Sequence, residues 1–175
     1  MIQDLLGLFP GGGLPAGDFQ PVDPAEVPQP YQKLLVHREH MTVTLEERYG
    51  TKVHLVVLER KHDRATYARR LILRAGADGP VILAGIMRIR LDVCGPEARD
   101  RIVSESTPLG RILIEQGFLR SIENLAYFRV RVGDALRGLF EASGRATFTY
   151  CRTAGISLGG EPAVELLEIV SPEEA

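Results

Sequence analysis

Residues 66–80, TYARRLILRAGADGP, decide the fold of this chain. Thr66 to Arg74 is rich in aliphatic, aromatic and β-branched side chains and predicts a strand, and residues 75–80 have the glycine, aspartate and proline of a tight turn. Residues 80–93 are again largely apolar and predict a strand that runs back. The stretch therefore predicts an antiparallel hairpin.

Strand and helix signals continue on both sides of this hairpin. Residues 34–36 suit a helix, and Thr44 and Glu47 have the spacing of a capping box ahead of a helix that ends at Gly50. Further helices are predicted over 96–104, 109–115 and 134–140, the last capped by Asp134, and further strands over 52–59, 125–132, 145–158 and 162–170. This order predicts an α+β domain built on one antiparallel sheet of about six strands, with short helices inserted between hairpins and covering one face or end.

The composition fits one globular domain with a small, local partner. The chain has 175 residues, of which 45% are apolar and 25% charged, enough for one sizeable core. Its formal net charge of −2, from 21 basic and 23 acidic residues, excludes a global field that would attract nucleic acid or an anionic membrane. Cys94 and Cys151 form no Cys-x-x-Cys pair, and no histidine spacing indicates a metal or cofactor site. No heptad or apolar stripe calls for a second copy, so a monomer is expected.

Residues 1–28 differ in composition from the rest. They are rich in proline and glycine, which predicts a loosely attached arm ahead of a folded domain over residues 29–172. The Gly11–Gly13 run is not followed by a Gly-Lys-Ser/Thr motif, so a flexible leader is favoured over a phosphate loop. Met1 to Pro10 lacks the basic start and long apolar run of a targeting segment, and a cytoplasmic protein is expected.

Arg69 is the most unusual residue of the predicted hairpin. Side chains alternate along a strand, so Arg69 shares a face with Tyr67, Leu71 and Leu73. A buried guanidinium needs an anionic partner, and its planar fork suits a carboxylate. That carboxylate belongs either to a ligand or to another residue of the sheet.

Two glutamates lie in the last predicted strand. Glu168 shares a face with Val164 and Leu166, and Glu165 lies on the opposite face. An inward glutamate, partly removed from water, can hold or donate a proton near neutral pH. The alternation alone does not decide which one points inward, or whether both are residues of a strand edge or strand end.

The segment Thr107-Pro108-Leu109-Gly110-Arg111 is compatible with a tight loop at the start of a helix. Its glycine allows backbone amides to approach a ligand, and its proline restricts the preceding residue. A plain turn into a helix explains the same residues without a ligand.

These motifs together resemble the chorismate lyase family, in its branch outside the ubiquinone-pathway enzymes. The resemblance runs from residue 34 to residue 172 and depends on the order and spacing of several segments. These are LLVHREHMT (34–42), YARRLIL (67–73), TPLGR (107–111), YCRT (150–153), and GGEP (159–162) followed by Glu168.

The resemblance implies a chorismate lyase-like fold and an enclosed pocket. In it chorismate loses its enolpyruvyl group as pyruvate and becomes 4-hydroxybenzoate, without metal or organic cofactor. Arg69 would hold the ring carboxylate, and Glu168, which matches the family's spacing where Glu165 does not, would face the oxygen at the opposite end. The substrate-binding residues implied beside them are Met41, Thr42, Leu109, Gly110, Arg111 and Arg152, with Met41 and Leu109 contributing backbone groups.

One departure from the family bears on the substrate. The ubiquinone-pathway lyases carry a second arginine on the strand after the hairpin, where this chain has ILAGIM over residues 82–87. Chorismate has two carboxylates, so another arginine must meet the second one or the ligand differs. Arg111 and Arg152 are the candidates, ahead of Arg88 and Arg120.

Two alternatives to the lyase remain open. The same fold resembles the effector-binding domain of a class of transcription regulators, although residues 1–30 are too short and too rich in proline for a winged-helix DNA-binding segment. A related enzyme of secondary metabolism, acting on another aromatic or cyclic carboxylate, is the other alternative, and the missing arginine favours it.

Overall fold

Among the described residues, the hairpin predicted from residues 66–80 forms two adjacent strands of a seven-stranded sheet, close to one of its edges. The computed structural model describes residues 1–12, 14, 18–141 and 146–173. The strands are β1 (Phe19–Val22), β2 (Val53–His62), β3 (Thr66–Ala75), β4 (Val81–Arg90), β5 (Arg120–Arg131), β6 (Phe148–Leu158) and β7 (Glu161–Val170). Their spatial order is β1-β5-β6-β7-β4-β3-β2, and every neighbouring pair is antiparallel. The predicted fold class, α+β with one antiparallel sheet and short helices between hairpins, is confirmed.

In the part of the chain that the structure describes, six short helices accompany the sheet, with two single 3-10 turns at Pro24–Glu26 and Leu91–Val93. The helices are α1 (Ile2–Leu8), α2 (Gln29–Leu35), α3 (Met41–Tyr49), α4 (Pro96–Val103), α5 (Leu109–Glu115) and α6 (Asp134–Leu139). Within the described part of the chain, none of them is long and apolar enough to cross a membrane.

Both faces of the sheet are covered, whereas the sequence predicted helices on one face or end. One core lies on the face covered by helices α2, α3, α4 and α5, and it includes Tyr67, Leu71 and Leu73 of β3. A second core lies on the other face, where residues of α1 and α6 pack against Ala68 and Ile72. The side chains of β3 therefore alternate as predicted, and each set enters a different core.

The N-terminal segment departs from the predicted loose arm. Leu5 of α1 has no exposed surface, and Phe9 is buried in the second core. Further along, Phe19 of β1 pairs with Val130 of β5 and packs its ring edge-on against Phe128, which accounts for the seventh strand. Proline and glycine interrupt this segment, but the apolar residues between them pack against the sheet. The Gly13 end of the glycine run lies outside the described residues.

Several element boundaries also differ from the sequence prediction. Helix α3 begins at Met41, three residues before the predicted start at Thr44. Thr44 lies within the helix, where its hydroxyl donates to the carbonyl oxygen of His40 one turn back (3.4 Å) and caps nothing. The helix ends at Gly50, as predicted, and Gly50 adopts the left-handed conformation. Asp134 is the first residue of α6 and not its cap. Strand β5 begins at Arg120, five residues before the predicted Leu125, and the predicted β6 start at residue 145 lies outside the described residues.

Candidate functional site

A cavity of about 70 Å³ lies between the sheet and the N-terminal ends of α3 and α5. At roughly 10–15 Å³ per water, it has room for several waters or for one compact small molecule. Its walls are mostly apolar. Leucine, isoleucine, methionine and alanine side chains from the sheet and α5 line it, namely Leu55, Leu71, Leu73, Leu83, Met87, Leu109, Ile122, Ala154, Ile156 and Leu166.

Arg69 projects from β3 into this cavity with only 1% of its surface exposed. Its Nε and Nη1 atoms have no hydrogen-bond partner, and no described carboxylate forms an ion pair with it. Burial lowers the pKa of the guanidinium, an effect that Tyr67 and Glu105 partly oppose. An arginine keeps its charge even so. A buried, unpaired cation is costly, so the site is poised to gain from an anionic ligand.

Tyr67 and Glu105 lie close enough to Arg69 to favour its charged form. The Tyr67 hydroxyl donates to Oε1 of Glu105 (2.7 Å), and Arg60 donates to Oε2 of the same carboxylate (2.9 Å). Burial and this hydrogen bond raise the pKa of Tyr67 to about 12. Glu105 adopts a left-handed backbone, with φ of 59°, which is uncommon for a residue with a side chain. Sequence patterns gave no signal for Glu105, because it reaches Tyr67 from a distant loop.

Glu168 lies at the same cavity, joined to a second buried arginine. Nε of Arg152 donates to Oε2 of Glu168 (2.6 Å), across the paired strands β6 and β7. Nη1 of Arg152 also donates to the carbonyl oxygens of Leu35 (3.0 Å) and His37 (3.2 Å). Arg152 is 2% exposed, so this pair is removed from water. Its guanidinium is held by protein groups, unlike that of Arg69.

Glu165 lies on the opposite face of the sheet, where Nε of Arg88 donates to its carboxylate (2.6 Å). The fold thus separates the two glutamates that the alternation of side chains along the strand left equivalent. It also removes Arg88 from the cavity, because Arg88 pairs in register with Glu165 between β4 and β7.

The wall opposite the sheet is built where the starts of α3 and α5 meet. Met41 and Thr42 line the cavity from α3, and Leu109 and Gly110 line it from α5. The first amides of a helix have no intrahelical partner and carry partial positive charge. The two segments that the sequence singled out as possible backbone contributors therefore border the same space.

Arg111 is the predicted site residue that the structure does not bring to the cavity. It lies one residue beyond Gly110, but its side chain turns away and forms an ion pair with Glu46 of α3. Glu46 also pairs with Lys52 (3.1 Å). Of the two arginines proposed to replace the family's second one, only Arg152 borders the cavity.

His40 borders the cavity as well, although the sequence gave no reason to select it. It precedes α3 and is buried, with 8% of its surface exposed. Burial, with smaller contributions from Arg120 and Arg111, lowers its pKa to about 4. The imidazole is therefore neutral near pH 7. Within the described residues, no group of three or more His, Cys, Asp or Glu side chains could hold a metal ion.

No protein family model matches the sequence, and neither does any curated protein. Solved structures share its fold. A possible transcriptional regulator of Bacillus subtilis, YydK, aligns with a TM-score of 0.50 and 8% identity, over 70% of this chain and 60% of that one. A candidate regulator from Escherichia coli CFT073 aligns with a TM-score of 0.50 and 10% identity, over 69% of this chain and 97% of that one. The chain thus spans less than two thirds of YydK, and at these identities the likeness shows the fold alone.

Proposed function

We propose that this chain is a ligand-binding module that holds a small organic acid in the cavity between the sheet and helices α3 and α5. The observation that carries the proposal is Arg69, a buried cation whose Nε and Nη1 donors have no partner. A carboxylate placed there would gain charge-assisted hydrogen bonds in a site with little water. The shared fold with two proteins described as regulators supports a sensing role for such a module.

The lining of the cavity indicates the body of the ligand. Apolar side chains surround most of the space, and they favour a flat or compact apolar body over a sugar or a phosphate ester. A small aromatic acid combines such a body with one carboxylate. The resemblance to chorismate lyases suggests 4-hydroxybenzoate as the first probe.

Calorimetric titration with 4-hydroxybenzoate tests the proposal. We expect binding by the unmodified chain and at least tenfold weaker binding by Arg69→Gln, because a lost charge-assisted contact is worth more than about 1.4 kcal/mol. Arg70→Gln is the matched control, since Arg70 lies on the other face and pairs with Glu59 (2.9 Å). Equal losses in the two variants, or no binding of any aromatic acid to the unmodified chain, would overturn the proposal.

A second candidate function is chorismate pyruvate-lyase, favoured because Glu168 and Arg69 line one cavity. Arg69 would orient the ring carboxylate, and Arg152 would fix Glu168 toward the ether and hydroxyl oxygens. The ring would lose a proton as its ether bond breaks and it becomes aromatic, and the enolpyruvate released would take up a proton to become pyruvate, so that atoms and charge balance. Both candidate functions place a carboxylate on Arg69 in the same cavity, and they differ in whether the bound acid reacts.

Incubation with chorismate separates the two candidates. A lyase releases pyruvate and 4-hydroxybenzoate in equal amounts, and Glu168→Gln should reduce both. If the chain binds 4-hydroxybenzoate through Arg69 but releases neither product, it binds an acid without cleaving chorismate. The lyase candidate then fails, and the binding module stands.

A further inference from the structure

The side chains that line the cavity leave it with a net positive charge. Among the described residues, five titratable side chains line it: Glu39, His40, Arg69, Arg152 and Glu168. Arg152 and Glu168 balance one another through their 2.6 Å contact. His40 is buried and neutral near pH 7. Glu39 lies at the rim with 75% of its side chain exposed, 4.0 Å from Arg120, where water screens it. Glu105 acts on Arg69 from outside the cavity, and its carboxylate is bound by Arg60 and Tyr67. Arg69 therefore gives the cavity one positive charge that no described lining residue balances.

The hydrogen-bond donors of the two buried arginines differ in the same way as their charges. Nε and Nη1 of Arg69 are unpartnered, whereas Nε and Nη1 of Arg152 already bind Glu168 and two backbone carbonyls. One guanidinium is thus available to a ligand and the other is occupied. A second ligand carboxylate could take Arg152 only by displacing Glu168 from a buried pair.

Strand β4 offers no replacement for the second guanidinium. It presents Leu83, Gly85 and Met87 to the cavity, and Gly85 lies in register with Glu168. A second carboxylate at this wall would meet apolar surface and the negative charge of Glu168. The free amides of α3 add partial charge, about half an elementary charge at a helix end, which supports one carboxylate but does not replace a guanidinium.

We propose that the cavity selects organic acids with a single carboxylate and rejects dicarboxylates of the same shape. This rests on the proposed function, because it describes the ligand that Arg69 would hold. Chorismate has two carboxylates and falls outside this class, so the same charge count argues against the lyase candidate.

Two probes of matched shape test the selectivity. Benzene-1,4-dicarboxylate and 4-nitrobenzoate differ by one negative charge at the same position of the ring. Calorimetric titration of the full chain should show 4-nitrobenzoate binding at least tenfold more tightly, because a carboxylate without a partner must be desolvated. Equal or tighter binding of the dicarboxylate would overturn the selectivity proposal. Failure of both probes and of 4-hydroxybenzoate would instead overturn the proposed function.

A charge change at Glu168 tests the physical cause. Glu168→Gln frees Arg152 and raises the uncompensated charge of the cavity from one to two. We expect the preference for 4-nitrobenzoate to fall at least tenfold or to reverse. Glu165→Gln is the control, because it breaks the corresponding pair with Arg88 on the opposite face and should leave the preference unchanged. Equal preferences in the unmodified chain and Glu168→Gln would contradict the charge argument, and if Glu168→Gln does not fold, the two-probe comparison on the unmodified chain decides.

Discussion

A Cβ atom added to Gly110 would lie 2.6 Å from Oγ1 and 3.2 Å from Cβ of Thr42. Helices α3 and α5 can therefore meet at their N-terminal ends only because residue 110 has no side chain. The short branched side chain of Thr42 cannot swing away, and Thr42 is itself buried. This contact forms part of the cavity wall opposite the sheet.

Gly110→Ala should move α5 away from α3. We expect a loss of about 1–3 kcal/mol in the free energy of unfolding, the usual cost of overpacking, together with weaker acid binding. Urea denaturation and titration with 4-hydroxybenzoate measure the two effects. Gly138→Ala in α6 is the control, since no atom lies within 4 Å of an added Cβ there, and it should be neutral or stabilising by up to about 1 kcal/mol. Similar losses in both variants would contradict the close-approach explanation.

The two buried arginines should respond in opposite directions to replacement by methionine. Arg69→Met removes an unpaired buried charge and should raise the free energy of unfolding of the ligand-free chain by about 1–4 kcal/mol. Arg152→Met leaves Glu168 without its partner and should lower that free energy by about 3–5 kcal/mol. Denaturation of both variants at the same pH checks the signs. A loss in both would show that Arg69 has a stabilising partner in the free protein.

Acidification should destabilise the chain partly through His40. Its pKa in the folded state is about 4, below the ordinary 6.5, so the unfolded chain takes up this proton first as the pH falls. The stability contributed by the neutral ring is full above pH 6.5 and is lost between 6.5 and 4. His40→Gln should flatten the decline over this window in urea denaturation. Parallel curves for the two proteins would show that His40 does not carry it.

Alkaline pH should lower the stability of the folded chain partly through Tyr67. Its pKa in the folded state is about 12, above the ordinary 10, so its contribution is full below pH 10 and is lost as the pH rises toward 12. Tyr67→Phe should cost about 1.5–3 kcal/mol at neutral pH, since it removes a hydrogen bond to the Glu105 carboxylate, and should lose less stability between pH 10 and 12. An unchanged stability at neutral pH would mean that the hydroxyl contributes little to the fold.

Local patterns were sufficient for most of the sheet. Strand β3 follows from its alternating side chains and turn residues, and the β6–β7 hairpin turns at Gly159 and Gly160 as expected. The start of α3 was misplaced because Thr44 has a capping-box partner but bonds instead to the previous turn. Strand β1 was missed because four residues with a proline in the middle become a strand only when β5 offers a ladder.

Most individual residues of the candidate site were predictable from the sequence, but their arrangement around the cavity was not. Arg69 stood out because a charge interrupts an apolar strand face, and the family resemblance selected Glu168. Arg111 and Arg152 were equal candidates in the sequence. The fold separates them, because Arg111 reaches Glu46 on α3 while Arg152 lies beside Glu168 on the neighbouring strand.

The sequence by itself determined the hairpins, the face on which Arg69 lies and the weak overall charge, because these depend on spacing of two residues along a strand, on turn chemistry and on composition. Only the tertiary structure decided which arginine is free. That depends on the contacts of Arg152 with Glu168 and with the carbonyl oxygens of Leu35 and His37, which join residues up to 117 positions apart in the chain. A guanidinium is available to a ligand only when no acceptor of the protein binds it. Because such acceptors come from distant parts of the chain, the local sequence does not indicate whether one is present.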